Sequence, residues 1–254
     1  MGTKGMAAVV RKQNNTRLLG AVLLTLSAVA GCSGNPSPGS PAYKEGELGN
    51  GDFLFACDDG VACLPYSGDA KRFPEQIATG STFSVRFVAN GSQGASSITI
   101  NDKKYEGITA QAVAPYVGKG PDGFAALKPG YGTVVARDNR GTVIDYVTLT
   151  IVEPDGLVVY DANYDASRGK DPPRIQAMNL KVDDAPSYRV VAERKLRAVA
   201  GSIPVEWEVD DSNVVQIESY TGNAVNLRAK GVGKTKARAK GAALVKEIDV
   251  EVTE

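Results

Sequence analysis

The sequence predicts an all-β protein of the sandwich type, built from two copies of one unit. Three observations carry this. Apolar residues alternate with others in period 2 in several short runs: Phe53, Phe55 and Cys57; Phe83, Val85 and Phe87; Val147, Leu149 and Ile151; Val205, Trp207 and Val209; Ile248, Val250 and Val252. Such runs read as half-buried strands, one face in a core and the other in water. No stretch after Cys32 sustains a 3.6-residue apolar stripe over three turns, and 28 Gly with 13 Pro favour turns over long helices. Finally, Gly130-Tyr131-Gly132 followed by Ala136-Arg137 recurs 101 residues later as Gly231-Val232-Gly233 followed by Ala237-Arg238. At the same offset Val147, Leu149 and Ile151 match Ile248, Val250 and Val252.

The first element, residues 1–31, reads as a targeting segment. Lys4, Arg11, Lys12 and Arg17 form a cationic start without an acidic residue, and an apolar run follows from Leu18 to Ala30. That length suits a signal-peptide core and is short for a bilayer span. It ends in Val29-Ala30-Gly31-Cys32, which resembles the bacterial lipobox. The resemblance implies cleavage before Cys32 and lipidation of that residue, with palmitate-type acyl chains on the protein. Two or three chains anchor firmly where one binds only marginally. Ser33, rather than aspartate, follows the cysteine and resembles an outer-membrane address. Residues 32–48 continue as a Gly/Pro/Ser-rich stretch, expected to be a flexible tether.

Two further cysteines, Cys57 and Cys63, flank an Asp59-Gly60 turn signal. In an exported chain the pair predicts a structural disulfide. A redox role would favour a CxxC spacing, and a metal site would need more ligands.

The remaining chain divides near Pro154-Asp155-Gly156 into two sandwiches, 49–154 and 155–254. Each has the size of an immunoglobulin-like domain. Turn signals at Asn90-Gly91, Asp122-Gly123 and Pro129-Gly130 separate the strands of the first. In the second, Trp207-Glu-Val-Asp210-Asp211-Ser212-Asn213-Val214-Val215-Gln216-Ile217 and Leu227-Arg-Ala-Lys-Gly231-Val-Gly233-Lys-Thr-Lys-Ala237 resemble bacterial immunoglobulin-like domains of the invasin/intimin type. They match that family's tryptophan strand and glycine turn. The first copy lacks the tryptophan and carries the cysteine pair. The resemblance implies a β-sandwich of surface and envelope proteins, used as a stalk, spacer or adhesive module, without catalysis. The second copy is expected to fold as a separate unit.

Composition narrows the chemistry. There is no histidine, which removes Ser-His-Asp and Cys-His nucleophile pairs and His-ligated metals. No catalytic residue, cofactor or metal site is expected. Without the four leader cations the chain holds 25 basic and 29 acidic groups, which argues against nucleic acid as a partner. Arg228, Lys230, Lys234, Lys236, Arg238 and Lys240 recur at spacings of two or four. On a hairpin the last four share one face. This is a candidate anion-binding stripe for an acidic partner protein, lipid head group or anionic glycan, against the alternative of a solvated outer strand. Asp58-Asp59, Asp183-Asp184 and Asp210-Asp211 read as solvated turns more readily than as calcium ligands. Gly231-Val-Gly233-Lys234-Thr235 lacks the leading glycine of a phosphate loop. Trp207 alternates inward and is expected in the core; Tyr116 and Tyr131 lie near turns.

The function expected is a non-enzymatic envelope lipoprotein, a structural or adhesive module facing the periplasm or the surface. It would be held by its lipid and bind an envelope protein or an anionic glycan. The alternative is a subunit of a secretion, pilus or polysaccharide-export assembly; a carbohydrate-binding protein is a third reading.

Overall fold

The computed structural model describes residues 42–57, 73–90, 97–121, 123–164 and 173–254. These residues form strands and turns, with no helix among them. Eleven strands precede Pro154: β1 Ala42–Glu45, β2 Gly51–Ala56, β3 Ile77–Ala78, β4 Thr82–Ala89, β5 Ser97–Ile100, β6 Lys103–Glu106, β7 Thr109–Val113, β8 Val117–Lys119, β9 Phe124–Ala126, β10 Gly130–Arg137 and β11 Val143–Val152. Nine follow: β12 Gly156–Asp161, β13 Ala177–Lys181, β14 Ser187–Arg194, β15 Arg197–Ala198, β16 Glu206–Val209, β17 Val215–Thr221, β18 Ala224–Ala229, β19 Gly233–Gly241 and β20 Leu244–Thr253.

The sheets repeat as the sequence does. The first sandwich pairs a sheet of order β1-β2-β4-β9-β8 with one of order β3-β11-β10-β7. The second pairs β12-β14-β18-β17 with β13-β20-β19-β16, and β15 lies on β14. In both, a short strand runs parallel to the last strand, β3 beside β11 and β13 beside β20. The rest of the ladder is antiparallel. The first copy adds β1 and the β5-β6 hairpin.

Inward residues of each sheet pair make the cores. Phe53, Phe55 and Phe83 meet Val134, Leu149 and Ile151 in the first. The Phe55 and Phe83 rings stack at 5.3 Å. Met178, Val190, Trp207, Leu227 and Ile248 lie in the second. Trp207 pairs with Ala239, beside Ala237 one register step away, and these small residues leave room for the indole. Burying an aromatic of this size contributes about 2–3 kcal/mol relative to leaving it exposed.

Part of the stretch expected as tether is strand. Ala42–Glu45 pairs in full with Phe55–Asp52, and the turn behind it is fixed from the opposite sheet. Asp145 is fully buried, and its carboxylate accepts the Leu48 and Asn50 N–H groups at 2.8 Å each, together with that of Tyr146. A buried carboxylate persists when its oxygens are satisfied in this way. Gly/Pro/Ser composition hides this pairing, because the acceptor lies nearly a hundred residues away.

The two sandwiches also touch through backbone. Thr82 and Ser202 exchange both hydrogen bonds, at 2.8 and 2.9 Å. Ala78 N–H donates to the Ala200 carbonyl at 2.8 Å, and Ala200 N–H to that of Gln76 at 3.0 Å.

Candidate functional site

The candidate stripe sits mainly on β19. Alternation sends Ala237 and Ala239 into the core and Lys234, Lys236, Arg238 and Lys240 outward. The six residues do not form one stripe. Arg228 belongs to β18, in the opposite sheet, and bonds Glu218. The chain crosses between sheets at Lys230–Val232, so spacing by two no longer means a shared face there. Gly231 fits this crossing because a Cβ would stand 3.0 Å from the Asn213 carbonyl oxygen.

The four cations on β19 lie between two acidic rows. On one side β20 presents Glu247, Asp249 and Glu251, in register with Arg238, Lys236 and Lys234. On the other, β16 and its turn present Glu206, Glu208 and Asp210. Lys234 reaches Glu251 at 3.2 Å and Lys240 reaches Glu208 at 2.6 Å. Arg238 holds Asp210 through two nitrogens and Glu247 at 3.0 Å, while Lys236 bonds Glu247. Hydrogen bonding to Arg238 holds the Asp210 carboxyl below its ordinary range. The bonds from Lys236, then Arg238, do the same for Glu247. The same contacts raise the Lys236 ammonium, through Glu247, and the Arg238 guanidinium, through Asp210 first. An anion arriving here would compete with carboxylates already in place. A shallow cleft of about 530 Å³ opens between Asp210, Lys236 and Asp249.

The acidic pairs have turn roles. Asp184 accepts the Lys181 N–H at 2.7 Å and Asp211 that of Asn213 at 2.8 Å. Asp58-Asp59 lies outside the described residues, as do Cys32 and Cys63. Cys57 is buried immediately after β2. Trp207 is in the core as alternation predicts, and its Nε1 has no hydrogen-bond partner among the described residues.

The matching face of the first sandwich has different chemistry. Its solvent-facing residues are Thr109, Gln111 and Val113 on β7, Tyr131, Thr133 and Arg137 on β10, and Tyr146, Thr148 and Thr150 on β11, while Val135 on the same face is buried. Tyr131 is 73% exposed. Tyr116 instead packs against the core, its ring lying over Gly130, where a Cβ would meet Cε1 at 2.4 Å. The period-2 alternation of β7, β10 and β11 is the sequence signal for this face.

No protein-family model and no curated protein matches the chain. Among solved structures it is similar to domains 4 and 5 of the S-layer protein SbsC, at 11% identity and a TM-score of 0.30, over 66% of this chain and 83% of that one. It is similar to the Escherichia coli adhesin FdeC at 13% identity and 0.32, over 70% of this chain and 60% of that one. For the Yersinia pseudotuberculosis adhesin InvE the values are 16% and 0.31, over 71% and 57%. The all-β assignment rests on the sheet order and register above.

Proposed function

We propose that this chain is a non-enzymatic lipoprotein of the cell envelope, whose two immunoglobulin-like sandwiches serve as a structural or binding module. The observation that carries it is the order of segments: a cationic start, an apolar run, Val29-Ala30-Gly31-Cys32, a Gly/Pro/Ser-rich stretch and then an all-β body. Cys32 carries the lipid, the outer membrane is its address, and Cys57 and Cys63 form a disulfide. Binding falls to solvent-facing sheet surfaces, which the sandwich holds rigid.

Cys32→Ala tests the anchor. The variant should lose its acyl chains by mass spectrometry and leave the membrane fraction. Retention in the membrane with an uncleaved N-terminus would overturn the reading. Thiol labelling of the denatured, unreduced protein should find Cys57 and Cys63 blocked; quantitative labelling of both would remove the disulfide.

A further inference from the structure

We infer that the two sandwiches form one stiff, cooperative unit, closed by a backbone clasp between Gln76–Thr82 and Ala200–Ser202. A hinge between tandem domains needs a single covalent crossing with few contacts beside it. Here the covalent crossing at Glu153–Asp155 is itself bound, with the Asp155 N–H on the Glu193 carbonyl at 2.9 Å and its carboxylate accepting the Lys195 N–H at 3.0 Å. The clasp is a second attachment. Its four backbone hydrogen bonds join the segment from Gln76 to the first residue of β4 to the loop before β16. Bending at the linker would break these bonds.

The cores interlock at the same place. Ala200, from the second sandwich, is fully buried in the core of the first. Ala78 and Val152, from the first, are buried in the core of the second. Separating the sandwiches would therefore expose apolar surface on both sides as well as unpaired backbone groups. Gly201 lets the two backbones approach. It sits at φ +105°, and a Cβ there would stand 2.1 Å from Ser81 Oγ. Ser81 is fully buried and donates to the Ala78 carbonyl at 2.6 Å. The expectation that the C-terminal copy folds as a separate unit gives way to a shared stability. The inference rests on the joint and not on the lipid anchor, so the Cys32 test can fail without touching it.

Native-state hydrogen exchange on the full chain tests it. The amides of Ala78, Thr82, Ala200 and Ser202 should exchange only through global unfolding. Their protection should then lie within about tenfold of core amides such as Val147 and Ile248. Exchange of all four through a low-energy opening, with both cores still protected, would overturn the inference. Gly201→Val should lower protection at these four amides and separate the unfolding of the two cores. Adding Ser81→Gly should recover part of the loss by removing the clashing hydroxymethyl. Unchanged protection in Gly201→Val would also overturn it. Should that variant not fold, exchange in the native chain decides.

Discussion

The outer faces of sheet β3-β11-β10-β7 and sheet β13-β20-β19-β16 share one topology and differ in chemistry. The first is threonine, tyrosine, glutamine and valine with the single charge of Arg137. The second is a basic strand between two acidic ones, paired across the ladder. Inward residues are alike in kind, Val147, Leu149 and Ile151 against Ile248, Val250 and Val252. The difference teaches that the alternating inward set specifies this sandwich and leaves the outward set free. β-branched hydroxyl residues and cross-strand ion pairs both solvate a pleated surface and pair across it.

The largest effect should come from the part the two copies share. Trp207→Ala should destabilise by about 3–5 kcal/mol in denaturant unfolding, because a buried aromatic is removed from a filled core. Trp207→Phe should cost clearly less, since Nε1 has no partner among the described residues and the loss is one of volume. Equal costs would mean that the indole N–H matters. An emission maximum of a solvated indole would break the inward assignment.

Next comes a feature confined to the first copy. Asp145→Asn replaces one acceptor oxygen with a donor facing a backbone N–H, and should cost about 1–3 kcal/mol. Exchange of the Leu48 and Asn50 amides should rise before the rest of the first core opens. Unchanged exchange there would break the link between β11 and the turn.

The two faces should also separate by pH. Asp210 and Glu247 ionise below their ordinary values of 3.8 and 4.5 when folded. Their contribution is present above those values and is lost as pH falls through the depressed ones. Protection in β19 and β20 should therefore decline on acidification, and the Asp210→Asn, Glu247→Gln variant should flatten that decline. In alkali the sign reverses for Tyr188, whose phenol is pushed up to about 12 by burial first and by Asp161 and Asp184 next. The unfolded chain loses this proton from about pH 10 and the folded one later, so stability should fall between pH 10 and 12. Tyr188→Phe should reduce that slope, leaving the part that comes from the raised Lys236 ammonium.

The smallest effect concerns salt and ligands. Exposed ion pairs contribute little and are screened. Raising NaCl should shift the unfolding midpoint slightly, and less so in the Asp210→Asn, Glu247→Gln variant. That variant should bind a polyanion such as heparin more tightly than the native chain, because it frees Arg238 and Lys236. Equal binding by both would show that the native cations are already accessible to anions.

Much of this was legible in the sequence. Period-2 runs located β2, β4, β11, β16 and β20, and the Gly-x-Gly repeat matched equivalent strands of the two copies. Trp207 between two glutamates was readable as inward. What escaped was cross-chain pairing. Lys234–Lys240 reads as a cationic run because its carboxylates are on other strands and become neighbours only through register. β1 was masked by its tether-like composition, and Arg228 by a change of sheet at Gly231. The clasp left no signal, because backbone hydrogen bonds between Thr82 and Ser202 ask little of either side chain.

One consequence of the buried carboxylate reaches into the history of the chain. Gly46 lies so close to Asp145 that a Cβ would stand 2.2 Å from the carboxylate carbon. Position 46 cannot change alone. A larger residue at 46 needs a shorter one at 145, and losing the carboxylate strands the N–H groups of the turn. Related chains should therefore vary at these two positions together, although they are 99 residues apart. A lineage that replaced the aspartate would be released from the glycine as well, and its first hairpin would need a new way to close. In the second copy Ile248 stands opposite Ala237 as Asp145 stands opposite Ala136, so that half of the molecule is under no such joint constraint.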